Sequence, residues 1–274
     1  MLISPAALLP QAAKEGRIIP AFNAGNMEMV AGIVRAVEEA QAPVILQIAE
    51  KRLAASPLHL LAPMLLEAAK VAAIPIAVQL DHGESREIID RAVAYGFTGI
   101  MYDGSALPLE DNIRNTAALR AAYPEVWLEG EIGVLSGNEG GGEMQALCAD
   151  PAQAEQFVRE SKADCLAAAI GNAHGFYKGR PKLNFAVLEE IRRRTDVPLV
   201  LHGGTGIPEE DLAKAVRLGV CKVNIATAGF HALYTAAVQN AGADYFTLTA
   251  AMQNAVYQNT KQHIAMFRRC AAAA

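Results

Sequence analysis

The sequence has little of what marks membrane, secreted and nucleic-acid-binding proteins. Among its 274 residues, no apolar run reaches the roughly 18 residues that a membrane span needs. The N-terminus has no basic segment ahead of an apolar stretch, so no signal peptide is predicted and we expect a cytoplasmic protein. The net charge of −5 argues against a broad basic surface for nucleic acid, although a local basic pocket for a small anion remains open.

Cysteine is also scarce. The four cysteines lie far apart and form no CxxC pair: Cys148, Cys165, Cys221 and Cys270. In a reducing compartment such residues are usually small buried apolar side chains. The sequence therefore argues against a disulfide framework and against a cysteine-ligated metal.

Short β-branched runs alternate with longer segments of helical periodicity along the whole chain, which is typical of βα units around a parallel sheet. Eight strands are predicted, at 18–22, 44–49, 76–81, 99–103, 126–132, 165–170, 198–202 and 221–225. Helices are predicted at 27–42, 57–71, 85–95, 109–123, 152–161, 184–193 and 208–218. Because a closed barrel uses all eight strands and leaves no edge, we favour a (β/α)8 TIM barrel over an open sheet, as one domain over 1–274.

Two further helices are predicted outside the barrel repeats. One covers 5–15, before the first strand, and the other is a C-terminal extension over about 246–269. The second is amphipathic, with Phe246, Ala250, Val256, Ile264 and Phe267 among polar residues. It must cover either a subunit interface or the flank of the barrel itself.

Three histidines stand where a barrel places its chemistry, at the C-terminal ends of strands. His82, His174 and His202 follow the third, sixth and seventh predicted strands and have glycine or alanine neighbours. Three imidazoles with a fourth position open are the ligand set of catalytic zinc. The residues alone leave two interpretations open, a metal site or three separately hydrogen-bonded histidines.

The remaining histidines fall within predicted helices, where solvated or packed side chains are expected: His59, His231 and His263. Several carboxylates accompany the strand ends. Asp81 could act as an acid or base, orient a histidine, or cap the helix that begins near residue 85. Asp103 ends a strand, and Glu129 and Glu131 share one face of the fifth strand, where carboxylates are costly unless paired or bound to metal.

Glycine-rich segments follow the last two predicted strands, at 203–206 and 224–227. Backbone N–H groups and a helix N-terminus at this place in a barrel favour a phosphorylated small molecule. The long loop 133–149 carries Glu139 and Glu143 among glycines. It is either a lid that brings a proton-transfer group over the substrate or a solvent loop.

Seven segments occur in the order found in one enzyme family. They are PAFN at 20–23, LDHG at 80–83, GIMYDGS at 99–105, EGEIG at 129–133, AIGNAHG at 169–175, LHGGTGI at 201–207 and KVNI at 222–225. Through them the chain resembles, over nearly its whole length, the class II, zinc-dependent ketose-bisphosphate aldolases, the fructose- and tagatose-bisphosphate aldolase family. The resemblance implies a zinc enzyme that reversibly cleaves a phosphorylated ketose to dihydroxyacetone phosphate and an aldehyde.

The resemblance also implies roles for individual residues. The zinc ligands would be His82, His174 and His202, with Asp103 and Glu131 near a possible alternate metal position and a second divalent or monovalent cation possible. Substrate and its phosphate would be held by Asn23, Gly175, Gly203, Gly204, Thr205, Asn224, Ile225, Ala226 and Thr227. Asp81 would accept the C4 hydroxyl proton, Glu139 would move the proton at the nascent enediolate carbon, and Asn224 would hydrogen-bond the enediolate.

Two departures from the family pattern bear on this expectation. Where relatives usually show small hydroxyl-bearing residues, the chain reads AEKR at 49–52, so Lys51 or Arg52 could bind a second phosphate or a carboxylate, or form an ordinary charged loop. In the lid, Gly140 follows Glu139 where relatives commonly have a second acid. The default substrate is fructose or tagatose 1,6-bisphosphate, with another ketose 1-phosphate as the variant.

Two rival functions remain at this stage. A Schiff-base aldolase needs a desolvated barrel lysine, and Lys222 is the strand lysine that could serve. A metal-stabilised sugar-phosphate sensor would keep the three histidines but would have no use for Asp81 or Glu139. We further expect a homodimer or homotetramer.

Overall fold

In residues 1–135 and 148–272, which the computed structural model describes, eight parallel strands close into a barrel. With a short N-terminal strand in front, the strands are β1 (Leu2–Ile3), β2 (Ile19–Asn23), β3 (Val44–Ala49), β4 (Ile76–Gly83), β5 (Gly99–Tyr102), β6 (Trp127–Ile132), β7 (Cys165–Ala168), β8 (Leu199–Leu201) and β9 (Val220–Ile225). From β2 onward each strand pairs with the next along the chain, and β9 pairs with β2. The predicted (β/α)8 TIM barrel is confirmed.

Helices surround this ring. They are α1 (Leu9–Lys14), α2 (Met27–Ala40), α3 (Leu58–Val71), α4 (Arg86–Tyr95), α5 (Leu109–Ala122), α6 (Pro151–Ser161), α7 (Phe185–Arg194), α8 (Glu209–Arg217), α9 (Thr227–Gln239) and α10 (Tyr245–Ala272). Asn26 caps α2 and Ser85 caps α4, each by accepting a backbone N–H three residues on. Since Ser85 caps α4, Asp81 is not needed for that role.

The N-terminal segment differs from the single helix predicted at 5–15. It forms a 3-10 turn over Pro5–Ala7 and then α1, because Pro10 has no N–H and is tolerated only in the first turn of a helix. The strand β1 was not predicted. It is only two residues long, too short for a periodic pattern, and it pairs with the first residues of β4, ahead of the point where β5 begins to pair.

The barrel strands are buried on both faces, which explains their continuous apolar runs. One core lies between the strands and the helices. A smaller core fills the lower barrel interior, with Ile19, Ile45 and Trp127 from the strands and Leu9 from α1. Thus α1 closes the end of the barrel opposite the strand C-termini.

The C-terminal helix α10 packs on the flank of the barrel, and the first residues of the helix are exposed. Val256, Ile264, and Phe267 are buried, and α10 contacts α2, α8 and α9. Phe246, at the other end of the helix, is 79% exposed. Of the two roles predicted for this helix, the structure therefore shows the flank contact directly for its C-terminal half.

Three of the four cysteines are buried as expected, whereas Cys148 is exposed. In the part of the chain that the structure describes, no helix combines the length and the apolarity required to cross a membrane.

Candidate active site

The polar residues predicted from the strand ends line one pocket at the C-terminal mouth of the barrel. The lining residues are Asn23, Asp81, His174, Gly175, His202, Gly203, Thr205, Asn224, Ala226 and Thr227. They come from β2, β4 and β9 and from the segments that follow β7, β8 and β9. All ten belong to the set predicted from the sequence, although they are spread over about 200 residues of chain.

Three imidazole rings converge at this mouth. The ring of His82 lies 4.9 Å from that of His174 and 4.6 Å from that of His202, centre to centre. Each ring offers one nitrogen within a group whose ligand atoms all lie within 4.8 Å of one another. His82 Nε2 and His202 Nδ1 are only 2.8 Å apart. The three histidines are therefore one cluster rather than three separate sites.

A carboxylate orients each of two rings. Asp103 Oδ2 lies 2.8 Å from His82 Nδ1, and Asp103 Oδ1 accepts hydrogen bonds from Ser105. Glu129 Oε1 lies 2.8 Å from His202 Nε2. With these nitrogens engaged, the remaining nitrogens of His82 and His202 point at each other. This is the arrangement in which a carboxylate fixes the tautomer and the direction of a metal-binding histidine.

Glu129 also forms an ion pair with a buried lysine. Lys222 Nζ is 2.6 Å from Glu129 Oε2, and Gln79 Nε2 donates to the same oxygen over 2.9 Å. Neither Lys222 nor Glu129 is exposed to solvent. Burial acts to raise the pKa of Glu129, but the Lys222 ammonium and the His202 ring hold that pKa well below its usual range. An ionised carboxylate is thus kept inside the barrel, where a charge must be paired.

The charges around the cluster favour a cation. Burial opposes the charged form of His82, but the carboxylates of Asp81 and Asp103 raise its pKa well above the usual value. Burial, with the neighbouring imidazoles, lowers the pKa of His174 to about 2, so this ring is neutral and keeps a free lone pair. Burial and the Asp103 carboxylate raise the pKa of Glu131 well above its usual value. Positive charge is therefore stabilised close to His82.

The residues present fit a metal ion. In the described part of the chain, two buried polar atoms at the mouth have no hydrogen-bond partner, Glu131 Oε2 and Asn224 Oδ1. Imidazole nitrogen is a zinc ligand, and each of the three rings offers one nitrogen to a group whose members all lie within 4.8 Å of one another. A second possible group, His82 with Asp103 and Glu131, lies beside the first. The buried histidines and carboxylates could therefore hold a metal.

Asp81 is held between two amides. Asn23 Nδ2 donates to Asp81 Oδ2 and Asn224 Nδ2 donates to Asp81 Oδ1, each over 3.0 Å. Asn23 is fixed by the Ala49 N–H, which donates to Asn23 Oδ1. Asp81 is 1% exposed and borders the pocket. Its carboxylate is thus oriented by residues of β2 and β9 next to the histidine cluster.

The segments predicted to bind phosphate border the same pocket. Gly175 and Gly203 have left-handed φ angles of +93° and +63°, which glycine adopts without strain. Thr205 Oγ1 accepts the Ala228 N–H in the first turn of α9. Backbone amides and a helix N-terminus therefore border the space beside the histidines, which is a suitable environment for an anion.

Two predicted phosphate residues are placed differently. The Gly204 N–H donates to the Asn224 carbonyl over 3.0 Å, so it is already engaged. The Ile225 side chain is buried in the core between strands and helices. Neither residue lines the pocket. Both residues support the segments that border the pocket. Any contact of Ile225 with an anion is limited to its backbone.

The remaining predicted residues lie farther out or outside the described residues. Glu139 and the centre of the predicted lid, with Glu143, lie outside them. Lys51 pairs with Glu84 at 2.9 Å, and the Arg52 guanidinium lies 4.3 Å from the centre of the Phe230 ring.

The three other histidines lie on helices, as predicted. His231 contacts the ring of Phe176, His263 packs between Phe22 and Phe267, and His59 is exposed.

Sequence reasoning missed the groups that support the cluster. Gln79 contacts Glu129, Asn172 donates to the His202 carbonyl, and Tyr177 joins the segments after β7 and β8. A signal existed for Gln79, a polar residue inside an apolar strand. Asn172 and Tyr177 flank His174 in the sequence, but no pattern there indicates their partners.

The comparisons with known proteins agree with this geometry. The model of the family described as class II fructose-bisphosphate aldolase matches residues 4–271. A probable fructose-bisphosphate aldolase of Bacillus subtilis is 38% identical over 238 residues, which cover 82% of this chain and 81% of that protein. The D-tagatose-1,6-bisphosphate aldolase subunit GatY of Klebsiella oxytoca is 38% identical over 232 residues, with 82% and 81% covered.

Solved structures give the same result. The crystal structure of the YdjI aldolase from Escherichia coli K12 superposes with a TM-score of 0.89 at 33% identity and covers 97% of both chains. A putative fructose-1,6-bisphosphate aldolase from Coccidioides immitis has a TM-score of 0.88 at 29% identity, with 98% of this chain and 97% of that chain covered. From its sequence, its barrel and these matches, the chain belongs to the class II fructose-bisphosphate aldolase family and is an aldehyde-lyase.

Proposed function

We propose that this enzyme reversibly cleaves a phosphorylated ketose between C3 and C4 and releases dihydroxyacetone phosphate and an aldehyde. The observation that carries the proposal is the grouping at one barrel mouth of three histidines, the amide-held carboxylate of Asp81, and glycine-rich segments suited to a phosphate. In this reaction the histidines would bind the metal, Asp81 would accept a proton, and the glycine-rich segments would bind the phosphate.

Zinc is the proposed metal, held by His82, His174 and His202. When bound, it acts as a Lewis acid and stabilises the negative charge that carbon–carbon bond cleavage leaves on the ketose oxygens. Asp103 and Glu129 set the directions of two rings, so the ligands are organised before the metal arrives.

Asp81 is proposed to accept the proton of the C4 hydroxyl as the C3–C4 bond breaks. Its two oxygens each receive one amide hydrogen bond, which aligns the carboxylate and leaves a further lone pair on each oxygen for a substrate hydroxyl. In the synthetic direction the same group returns the proton to the new C4 oxygen. Glu139, named by the family resemblance, is proposed to move the proton at the carbon that was C3.

Asn224 is proposed to position the enediolate form of the product by a hydrogen bond. Its Nδ2 reaches Asp81, whereas its buried Oδ1 has no partner in the described residues. A hydroxyl of the enediolate form of the product can donate to that oxygen. The phosphate would lie beside Gly175, Gly203, Thr205 and Thr227, where the amides and the N-terminus of α9 face the pocket.

The aldehyde half of the substrate distinguishes one ketose phosphate from another. The chain is similar to proteins named for fructose-bisphosphate, for tagatose-1,6-bisphosphate and for 6-phospho-5-dehydro-2-deoxy-D-gluconate, at nearly equal identity. Fructose or tagatose 1,6-bisphosphate remains our default. Of the two cations after β3, Lys51 pairs with Glu84. Arg52 lies over the ring of Phe230 in α9. One of these two cations is proposed to meet an anionic group on the aldehyde.

The experiment is a substrate panel. Purified zinc-loaded enzyme is supplied with dihydroxyacetone phosphate and, one at a time, with glyceraldehyde 3-phosphate, glyceraldehyde, glycolaldehyde and an aldehyde that carries a carboxylate. We expect aldol addition with dihydroxyacetone phosphate and a preference among the aldehydes. Binding of ketose phosphate without turnover of any panel member would instead favour the sugar-phosphate sensor.

We also propose that two copies of the chain associate through α9 and the first turns of α10. Residues 227–260 contain a single charged residue, Asp244, in a chain that is 19% charged overall. Four large side chains there are more than half exposed, Tyr234, Val238, Tyr245 and Phe246. An uncharged aromatic surface of this kind is typical of subunit contacts.

This assembly is tested by light scattering after size-exclusion chromatography. We expect a homodimer or homotetramer for the natural chain and a smaller species for Phe246→Asp. A monomeric natural chain would contradict the proposal. We also propose that the enzyme works in the cytoplasm, a reducing compartment in which its four free cysteines stay reduced.

A further inference from the structure

One tyrosine hydroxyl joins the two segments that carry His174 and His202. The Ala173 N–H donates to Tyr177 Oη over 3.0 Å, and the Tyr177 hydroxyl donates to the Gly203 carbonyl over 3.0 Å. Ala173 directly precedes His174, and Gly203 directly follows His202. A single side chain therefore fixes the backbone beside two of the three proposed metal ligands.

The same two segments are in contact at backbone level. Asn172, which is 1% exposed, donates its Nδ2 to the His202 carbonyl over 3.0 Å and accepts the Ile170 N–H. A Cβ atom on Gly203 would lie 2.0 Å from the Ala173 carbonyl oxygen. The distance between the segments is thus set by a glycine and by two side-chain bridges.

Tyr177 also underlies the proposed phosphate site. Its ring passes 3.5 Å from the position that a Cβ on Gly206 would occupy, so it supports the glycine-rich turn at 203–206. The carbonyl that it bonds belongs to Gly203, which lines the pocket in a left-handed conformation. Rotation of that peptide would change where the amides of this turn point.

We propose that Tyr177 is a positioning residue that holds the metal-binding segment at His174 and the phosphate-binding turn at Gly203 in one fixed arrangement. The inference rests on the proposed function and adds a residue to it. The reason is geometric: both hydroxyl bonds end on backbone atoms adjacent to residues of the pocket. Without the hydroxyl, the Ala173 N–H and the Gly203 carbonyl lose a partner at once.

The first measurement does not depend on activity. Zinc affinity is measured by competition with a chromophoric chelator for the natural protein and for Tyr177→Phe, which keeps the ring and removes only the hydroxyl. We expect the affinity to fall about tenfold, as is usual when a group that supports a metal ligand is removed. The circular dichroism spectrum of the zinc-free variant should match that of the natural protein.

The second measurement separates phosphate positioning from a general structural defect. Aldol addition is followed at saturating zinc with dihydroxyacetone phosphate and with phosphate-free dihydroxyacetone. For Tyr177→Phe we expect KM for dihydroxyacetone phosphate to rise about tenfold, with kcat changed less than threefold. The rate with dihydroxyacetone should change little. Tyr123→Phe is the matched control, since that hydroxyl bonds Asp90 away from the pocket, and it should behave as the natural protein.

Two results would overturn the inference. One is a Tyr177→Phe enzyme with unchanged zinc affinity and unchanged KM for dihydroxyacetone phosphate. The other is an equal loss with the phosphorylated and the phosphate-free substrate, which indicates a general defect. Failure of the proposed function itself is visible in the natural protein, which would then neither bind zinc nor use dihydroxyacetone phosphate, and the inference would fall with it.

Discussion

His82 Nε2 and His202 Nδ1 lie 2.8 Å apart, although the two residues are separated by 120 positions in the sequence. The other nitrogen of each ring is held by a carboxylate, Asp103 for His82 and Glu129 for His202. Two nitrogens facing each other at this distance must share either a proton or a cation. Since His174 completes the group, a metal ion satisfies all three rings at the same time.

Removal of metal should abolish activity. We expect a strong chelator to stop cleavage of the ketose phosphate and zinc to restore it, because the charge formed on bond cleavage needs a Lewis acid. Borohydride added with substrate should trap no covalent adduct on Lys222. This lysine is fully buried and paired with Glu129 at 2.6 Å, and no lysine is found among the described residues that line the pocket.

Mass spectrometry and the activity assay give the check. A borohydride-dependent adduct on Lys222, or full activity in the presence of chelator with zinc removed, would favour a Schiff-base aldolase instead.

Substitution of Asp81 should separate binding from turnover. For Asp81→Ala we expect zinc content and ketose-phosphate binding to be retained, and kcat to fall by about 10²- to 10⁴-fold, since the proton acceptor is lost. Asp81→Asn keeps the shape of the side chain and should be equally slow. The readouts are metal analysis, calorimetric binding and steady-state kinetics. Unchanged turnover would remove Asp81 from the mechanism, and loss of zinc would assign it a structural role.

The buried pair of Lys222 and Glu129 should matter for stability. Lys222→Met removes the ammonium that pairs with the buried Glu129 carboxylate, and we expect the free energy of unfolding to fall by about 3–5 kcal/mol. Combining it with Glu129→Gln should recover part of that loss, because no isolated charge then remains. Denaturant unfolding of the natural protein and of the two variants measures these changes.

The exposed pair of Arg114 with Asp111 provides the control. Arg114→Met should change the free energy of unfolding by less than about 1 kcal/mol, as exposed ion pairs do. If Lys222→Met proved as mild as Arg114→Met, the buried pair would not have the importance that we assign to it.

His263 should make stability depend on pH. Burial between Phe22 and Phe267 lowers the pKa of His263. The unfolded chain takes up this proton near pH 6.5, whereas the folded chain does so only at lower pH. The contribution of neutral His263 is therefore complete above about pH 6.5 and is lost as the pH falls through the folded pKa.

The check is the free energy of unfolding at pH 7.5 and at pH 5.5. The loss between the two values should be smaller for His263→Gln than for the natural protein, whereas His59→Gln, at an exposed site, should leave it unchanged. Equal losses in all three proteins would show that His263 is protonated equally in both states.

Most of the fold follows from the sequence. The strand β3 has the predicted bounds, and other strand bounds differ by one or two residues, because continuous apolar runs bounded by turn residues mark buried parallel strands. The two-residue strand β1 could not be predicted from the sequence, because it is defined by its pairing with β4 and not by a local residue pattern. The break before α1 could have been inferred from Pro10.

The sequence predicts which residues lie at the site but not which hydrogen bonds join them. Barrel geometry brings strand ends together, so His82, His174 and His202 could be grouped from the sequence. That Asp103 holds His82 while two amides hold Asp81 depends on side-chain directions at adjacent strand ends, and no residue pattern gives these. The pairing of Glu129 with Lys222 depends in the same way on the register across the barrel.

The mechanism that we propose requires His82, His174 and His202 to bind one metal ion together. The most direct measurement is the anomalous difference map, recorded at the zinc absorption edge, of crystals grown with zinc. We predict one strong peak about 2.0–2.1 Å from a nitrogen of each of His82, His174 and His202. A zinc peak only at another place in the chain, or no peak near these three rings, would show that they do not form the metal site.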